Sequence, residues 1–199
     1  CMQSRLLFGI LVCVAAAAFA GPPFWETKAP ADWTHEEVLR MLENSPWSQS
    51  SRGRDLEVRM HLATAKPMQE AEARERAARS LRGANDSSYE EFLMMMKEGP
   101  DKYVVMAVRI QDPKSFRELP ETSRVESDSK LFSGKNQVRP ITFFPPSSSD
   151  PYLRVVFPRT IDPKAKSLEF TIFVPGLSDP FRRLIFSLNK MTYRGHLEY

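Results

Sequence analysis

The sequence predicts an α+β fold: a single domain of mainly antiparallel sheet from the C-terminal half, with helices packed on one face. Three observations predict it. Helix patterns with readable start and stop signals crowd residues 34–99. The last third is rich in short alternating or continuous apolar runs, the signature of strands. No segment repeats at a fixed period, which excludes a solenoid or a propeller.

Residues 1–20 read as an export signal, and 21–199 as the domain. Arg5 supplies a positive start and Leu6 to Ala20 an apolar run. Ala18-Phe19-Ala20 before Gly21 is a small-x-small pattern that places cleavage between Ala20 and Gly21. The run is short beside the ~20 apolar residues of a membrane span. Val12 stands before Cys13, where a lipoprotein signal carries a small residue. Cys1 precedes Met2, the expected start. Removing these 20 of 199 residues leaves 179, takes both cysteines, and lowers the formal charge from +3 to +2 with the loss of Arg5. The mature chain then has no disulfide, thiol nucleophile or thiolate metal ligand. Its small charge makes no electrostatic case for nucleic acid or an anionic membrane. About 180 residues suffice for one core of normal size.

After a Pro-rich lead-in (21–31), a helix is expected from Thr34. Thr34 and Glu37 have capping-box spacing, and Trp33 and Val38 stand at the hydrophobic-staple positions. Asn44 suits a left-handed stop, and Pro46 bars continuation. Residues 55–63 alternate, with Leu56, Val58, Met60 and Leu62 on one side and Glu57, Arg59 and His61 on the other, as in a strand with one buried face. A second helix is expected between Pro67 and Gly83, its thin apolar stripe made of Met68, Ala71, Ala78 and Leu81. Glu70/Arg74, Glu72/Arg76 and Glu75/Arg79 are i,i+4 pairs, which reads as a solvated face. A third helix starts at Ser87 or Ser88 and stops at Gly99; Met94-Met95-Met96 suggests an adaptable contact surface, with Met94 or Met95 exposed because only Met96 is needed for the helix face. Residues 103–110 are apolar on both sides and read as a central strand. Residues 114–119 suit one helical turn. The polar stretch 120–137 reads as a long mobile loop. Strands are expected at 141–144, 153–157, 167–174, 183–188 and 196–199, with 167–174 and 183–188 joined as a hairpin and Gly195 permitting a bend before the last.

The chemistry-bearing residues give no catalytic motif. His35, His61 and His196 lack the short spacing of metal ligands and read as surface histidines. Gly-x-Ser-x-Gly, the phosphate-binding Gly-x-x-x-x-Gly-Lys-Ser/Thr and Gly-x-Gly-x-x-Gly are absent; Ser133-Gly134-Lys135 is only a fragment of the second. Glu36–Glu37 and Glu90–Glu91 suit helix starts, and Asp150, Asp162 and Asp179 lie in Pro-flanked turns. No catalytic residue, metal ligand or cofactor is assigned. Trp25, Trp33 and Trp47 are the ligand-binding candidates, as an aromatic platform for a sugar or peptide. Against this stands a simpler use, anchoring the two ends of the first helix, which staple geometry favours.

Three stretches also carry a resemblance. Lys28 to Ser48 holds a Trp-Thr-x-x-Glu…Ser-Pro-Trp helix, Phe157-Pro158-Arg159 a Phe-Pro-Arg strand end, and Phe186 to Leu197 a Phe-x-Leu-x-x-Met-x-Tyr-x-Gly-x-Leu run. In these the chain resembles a family of exported acidobacterial proteins without an assigned activity. The resemblance implies export and a shared fold, and carries no catalytic residue. The leading expectation is an exported, periplasmic or extracellular, non-enzymatic binding or assembly protein. Its partner would be a protein or envelope component, with no nucleic acid and no integral membrane span in the mature chain. The alternatives are an envelope or extracellular hydrolase whose site forms only in the fold, and a carrier of an apolar small molecule.

Overall fold

A computed structural model describes residues 21–54, 56–79, 87–99 and 101–199. The export signal, with Ala20, and the helix stop at Gly83 lie outside the described residues. The helices are α1 (Phe24–Thr27), α2 (His35–Glu43), α3 (Lys66–Ala78), α4 (Ser87–Glu98), α5 (Pro113–Phe116) and α6 (Arg124–Asp128). The strands are β1 (Ser48–Arg52), β2 (Glu57–Leu62), β3 (Tyr103–Arg109), β4 (Lys130–Ser133), β5 (Asn136–Val138), β6 (Thr142–Phe144), β7 (Tyr152–Pro158), β8 (Ser167–Phe173), β9 (Phe181–Ser187), β10 (Thr192–Tyr193) and β11 (His196–Leu197). They form a five-stranded sheet β1-β2-β3-β7-β6, a four-stranded sheet β5-β4-β8-β9 and the small hairpin β10-β11. Every pairing is antiparallel, so the fold is α+β.

Register fixes the layers, because cross-strand partners share a face. In the five-stranded sheet Met60, Val108 and Leu153 point one way, with Leu62, Met106 and Val155; His61, Ala107 and Arg154 point the other. The first face meets the four-stranded sheet, whose Leu131, Phe170 and Leu184 line up against it; Phe157 and Phe170 cross the gap edge to face at 5.6 Å. The second face carries the three longer helices. Glu43 of α2 reaches Arg59, Glu72 of α3 reaches His61, and Phe92 of α4 packs on Phe144. Helix layer, sheet and second sheet thus stack in that order.

The first helix is built as its sequence suggests. Thr34 Oγ1 accepts from Glu37 N (3.2 Å), Glu37 Oε2 accepts from Thr34 N (2.9 Å), and Trp33 and Val38 are both buried. Asn44 ends it at φ −148°, not in the left-handed region, so the stop comes from Pro46 and the turn into β1. Trp47 is fully buried, and its Nε1 donates to Glu198 O at 2.7 Å, which ties this corner to the far end of the chain. The last strand is shorter than 196–199: β10 and β11 close on a two-residue turn, Arg194 (φ 51°) and Gly195 (φ 79°). Residues 120–137 are not a loop. They hold a 3-10 turn (Pro120–Ser123), α6, and the β4–β5 hairpin, with Val125 and Leu131 buried. Ser133-Gly134-Lys135 belongs to that hairpin, and Gly134 takes a positive φ of 57°.

Candidate functional site

The largest departure from the sequence reading lies under α3. Met68, Ala71, Glu72 and Glu75 are all buried and follow a helical core stripe, so two glutamates occupy core positions. They are not on a solvated face. Of the three expected i,i+4 pairs only Glu75–Arg79 forms. Arg74 donates instead to Ala31 O (2.9 Å) and Trp33 O (3.0 Å), and Arg76 to Ser149 O (3.0 Å).

What Glu72 meets is the polar row of the sheet. Arg154, 1% exposed, gives it a two-pronged ion pair, Nη1 to Oε1 at 3.1 Å and Nη2 to Oε2 at 2.9 Å. The same guanidinium donates to Asp150 through Nε (2.8 Å) and Nη2 (2.9 Å). His61 is buried, not a surface residue, and its Nε2 lies 2.5 Å from Glu72 Oε1. Asp150 does sit in a turn, its O accepting from Ser147 N (2.8 Å) and its N donating to Ser147 Oγ (2.9 Å), while its carboxylate adds a buried ion pair with Arg154 that the sequence reading lacked. Tyr152 closes the cluster: its ring stands edge-on to His61 at 5.1 Å, and its hydroxyl donates to Glu75 at 3.4 Å.

These contacts decide what the cluster can do. Burial pushes the Glu72 carboxyl up, but Arg154 and His61 outweigh it and hold the group at about 2. For Asp150 burial wins over Arg154, and the carboxyl sits above its ordinary value. Burial, with Glu75 and Glu72 nearby, pushes the Tyr152 phenol up, so it stays a hydrogen-bond donor. A carboxylate held this low is a poor proton acceptor at neutral pH. Each acid is already committed to a cation. The cluster is a clamp that fixes α3 on β2 and β7.

Two cavities flank these layers. One, of about 230 Å³, lies between α3 and α4 and is lined by Ala63, Gln69, Glu72, Tyr89, Phe92 and Met96. The other, of about 290 Å³, opens at one end between the two sheets. Leu56 and Val58 come from the β2 side, Ile110 from beyond β3, Phe116 from the end of α5 and Leu119 from the turn after it, and Val174 and Leu177 from the β8–β9 connection. Glu57, Arg109, Asp112 and Ser115 stand among the polar members. Asp112 is spent as the cap of α5: it accepts from Ser115 Oγ (2.6 Å) and from the amides of Lys114 (3.2 Å) and Ser115 (3.3 Å). Those bonds hold its carboxyl below the ordinary value. Gly176 turns the connection at φ 82°; a Cβ there would press on Leu119 Cδ1 at 2.8 Å.

The three tryptophans do converge, but below the surface. Trp25 stands edge-on to Trp47 at 5.9 Å and to Phe24 at 5.1 Å, and Phe24 to Trp33 at 5.4 Å. Trp33 and Trp47 are buried and Trp25 is partly covered, so the platform reading of Trp25, Trp33 and Trp47 is replaced by packing: two rings have no open face on which a ligand could stack. Gly21 is exposed. Met94 is 60% exposed, as its place off the helix face implies. Among the described residues no group of three or more His, Cys, Asp or Glu is placed to hold a metal ion, and no helix is long and apolar enough to cross a membrane. The chain matches no family model, no curated protein and no solved structure.

Proposed function

We propose that this is an exported, non-enzymatic binding protein, and that its ligand is a small, largely apolar molecule held in the cleft between the two sheets. The observation that carries the reading is the cleft itself. It is open, about 290 Å³ in volume, and walled by aliphatic and aromatic side chains with polar groups beside them. Volume and lining are those of a small-ligand site near the lower end of the usual range. The hydrolase alternative has less support, because the buried acids are already engaged, Glu72 and Asp150 with Arg154 and Glu75 with Arg79 and Tyr152. Export rests on the leader pattern in residues 1–20, and an intact mass of the native protein that retains residues 2–20 would remove it.

Binding is tested with the neutral polarity-sensitive dye Nile red. Saturable fluorescence enhancement is expected for the native sequence, with displacement by octan-1-ol. Leu177→Arg, which puts a charge on the half-covered wall, is expected to weaken it by about tenfold or more, the cost of desolvating a cation there. No saturable binding, or equal binding by a folded Leu177→Arg variant, overturns the reading.

A further inference from the structure

One side chain beside the cleft bears on the chemistry of its ligand, and the assignment below rests on the cleft reading above. Arg182 is the second β9 residue, at an inward position shared with Leu184 and Phe186. An arginine where the strand otherwise places apolar side chains is 1% exposed. Its Nη1 is satisfied: it donates to Asp179 O and to Phe181 O (3.0 Å). Its Nε and Nη2 are buried and meet no hydrogen-bond partner among the described residues. The nearest acid described, Asp179, lies 3.6 Å from Nη1, on the satisfied side, and is itself 47% exposed. A buried cation with two open donors is costly, and such groups are ordinarily paired.

The two open donors are not an arbitrary pair. Nε–H and Nη2–H lie parallel along one edge of the guanidinium, the fork that receives both oxygens of a carboxylate. The fork also stands beside the cleft. Arg182 is the cross-strand partner of Ile172, and Val174, two residues further along the same face, lines the cleft; the separation along the strand is about 7 Å. From the β1–β2 connection, Gly53 packs on the guanidinium: a Cβ there would fall 2.6 Å from Cζ and 2.9 Å from Nη1, and closer still to Nη2. Gly53 N donates to Leu56 O at 3.2 Å, and Leu56 is a partly covered wall residue of the cleft.

We infer that the cleft takes a molecule with an apolar body and a terminal carboxylate, and that Arg182 receives the carboxylate through its Nε–Nη2 fork. The apolar walls hold the body. Arg182 is not itself among the residues that line the cleft and is 1% exposed, so the wall gives way as the head group enters. Gly53 is the residue that lets backbone and guanidinium approach closely enough to keep the fork dry until then.

The test compares octanoate with octan-1-ol, which share the chain and differ in the head group, by calorimetric titration of the native sequence and of Arg182→Met and Arg182→Lys. The native protein is expected to bind octanoate at least about tenfold tighter than octan-1-ol, as a charge-assisted two-pronged contact implies. Arg182→Met is expected to lose that preference while keeping its affinity for the alcohol. Arg182→Lys keeps the charge without the fork and is expected to retain only part of the preference. Equal affinities for the two probes overturn the inference and leave the cleft reading standing; no binding of either overturns both. A folded Arg182→Met variant that still prefers octanoate also overturns it. Should Arg182→Met fail to fold, the head-group preference of the native protein decides alone.

Discussion

Replacing Glu72 by Gln keeps the shape of the buried side chain and removes its charge. In the native protein the carboxyl sits at about 2, against an ordinary 4.5. That difference corresponds to about 3 kcal/mol of stability at neutral pH. The sign follows from the direction: a carboxyl lowered in the folded state stabilises fully above about 4.5 and loses that contribution as the pH falls through about 2. Glu72→Gln is therefore expected to destabilise by about 3 kcal/mol at pH 7 and progressively less below pH 4.5, with the two proteins converging near pH 2. Asp150, raised mainly by burial, acts in the opposite sense; the Glu72 charge contributes to that rise, so Glu72→Gln relieves part of it and trims the expected loss. Denaturant unfolding midpoints from pH 7 to pH 2 measure it. A loss below about 1 kcal/mol at pH 7, or a loss that does not change with pH, would show that Arg154 and His61 gain nothing from the charge on Glu72.

Trp47→Ala should cost about 3–5 kcal/mol by denaturant midpoint, since the ring is fully buried and its N–H is used; an unchanged midpoint would mean the ring is not a core element. Deleting residues 196–199 removes the Glu198 carbonyl that Trp47 bonds, the Glu198 N–H bond to Met191 O (2.9 Å) and the Tyr199 ring stacked under Arg159 (4.3 Å). A clearly lower midpoint is expected, and full stability after deletion would make this segment dispensable to the fold.

Elements whose instructions are local were legible in the sequence. The capping box of α2 spans four adjacent positions, and the alternation of β8 follows from one buried face, so both stand where the pattern puts them. β1 reads Ser-Gln-Ser-Ser-Arg and left no signal, because an edge strand with one neighbour needs no apolar face. β4 and β5 hid in 120–137 because four and three residues are too few for a period to emerge. The buried clamp was illegible for a different reason. Glu72 and Arg154 are 82 positions apart, and each carries a charge that locally reads as surface. One trace was present: positions 72 and 75 continue the stripe begun by Met68 and Ala71, and Arg154 interrupts an otherwise apolar run, as Arg182 interrupts an inward row. Charges at core positions announce a distant partner without naming it.

The bond from Trp47 to Glu198 has a consequence in time as well as in space. Its partners are separated by 151 positions, so the anchor of the first helix cannot close until almost the whole described chain is in place. Contacts of such long range close late, after the intervening loop entropy has been overcome. This ordering delays completion of the core around Trp47 until residue 198 is available. Pulse-labelled amide exchange during refolding is expected to protect α2 no earlier than the β10–β11 hairpin that carries Glu198 to it.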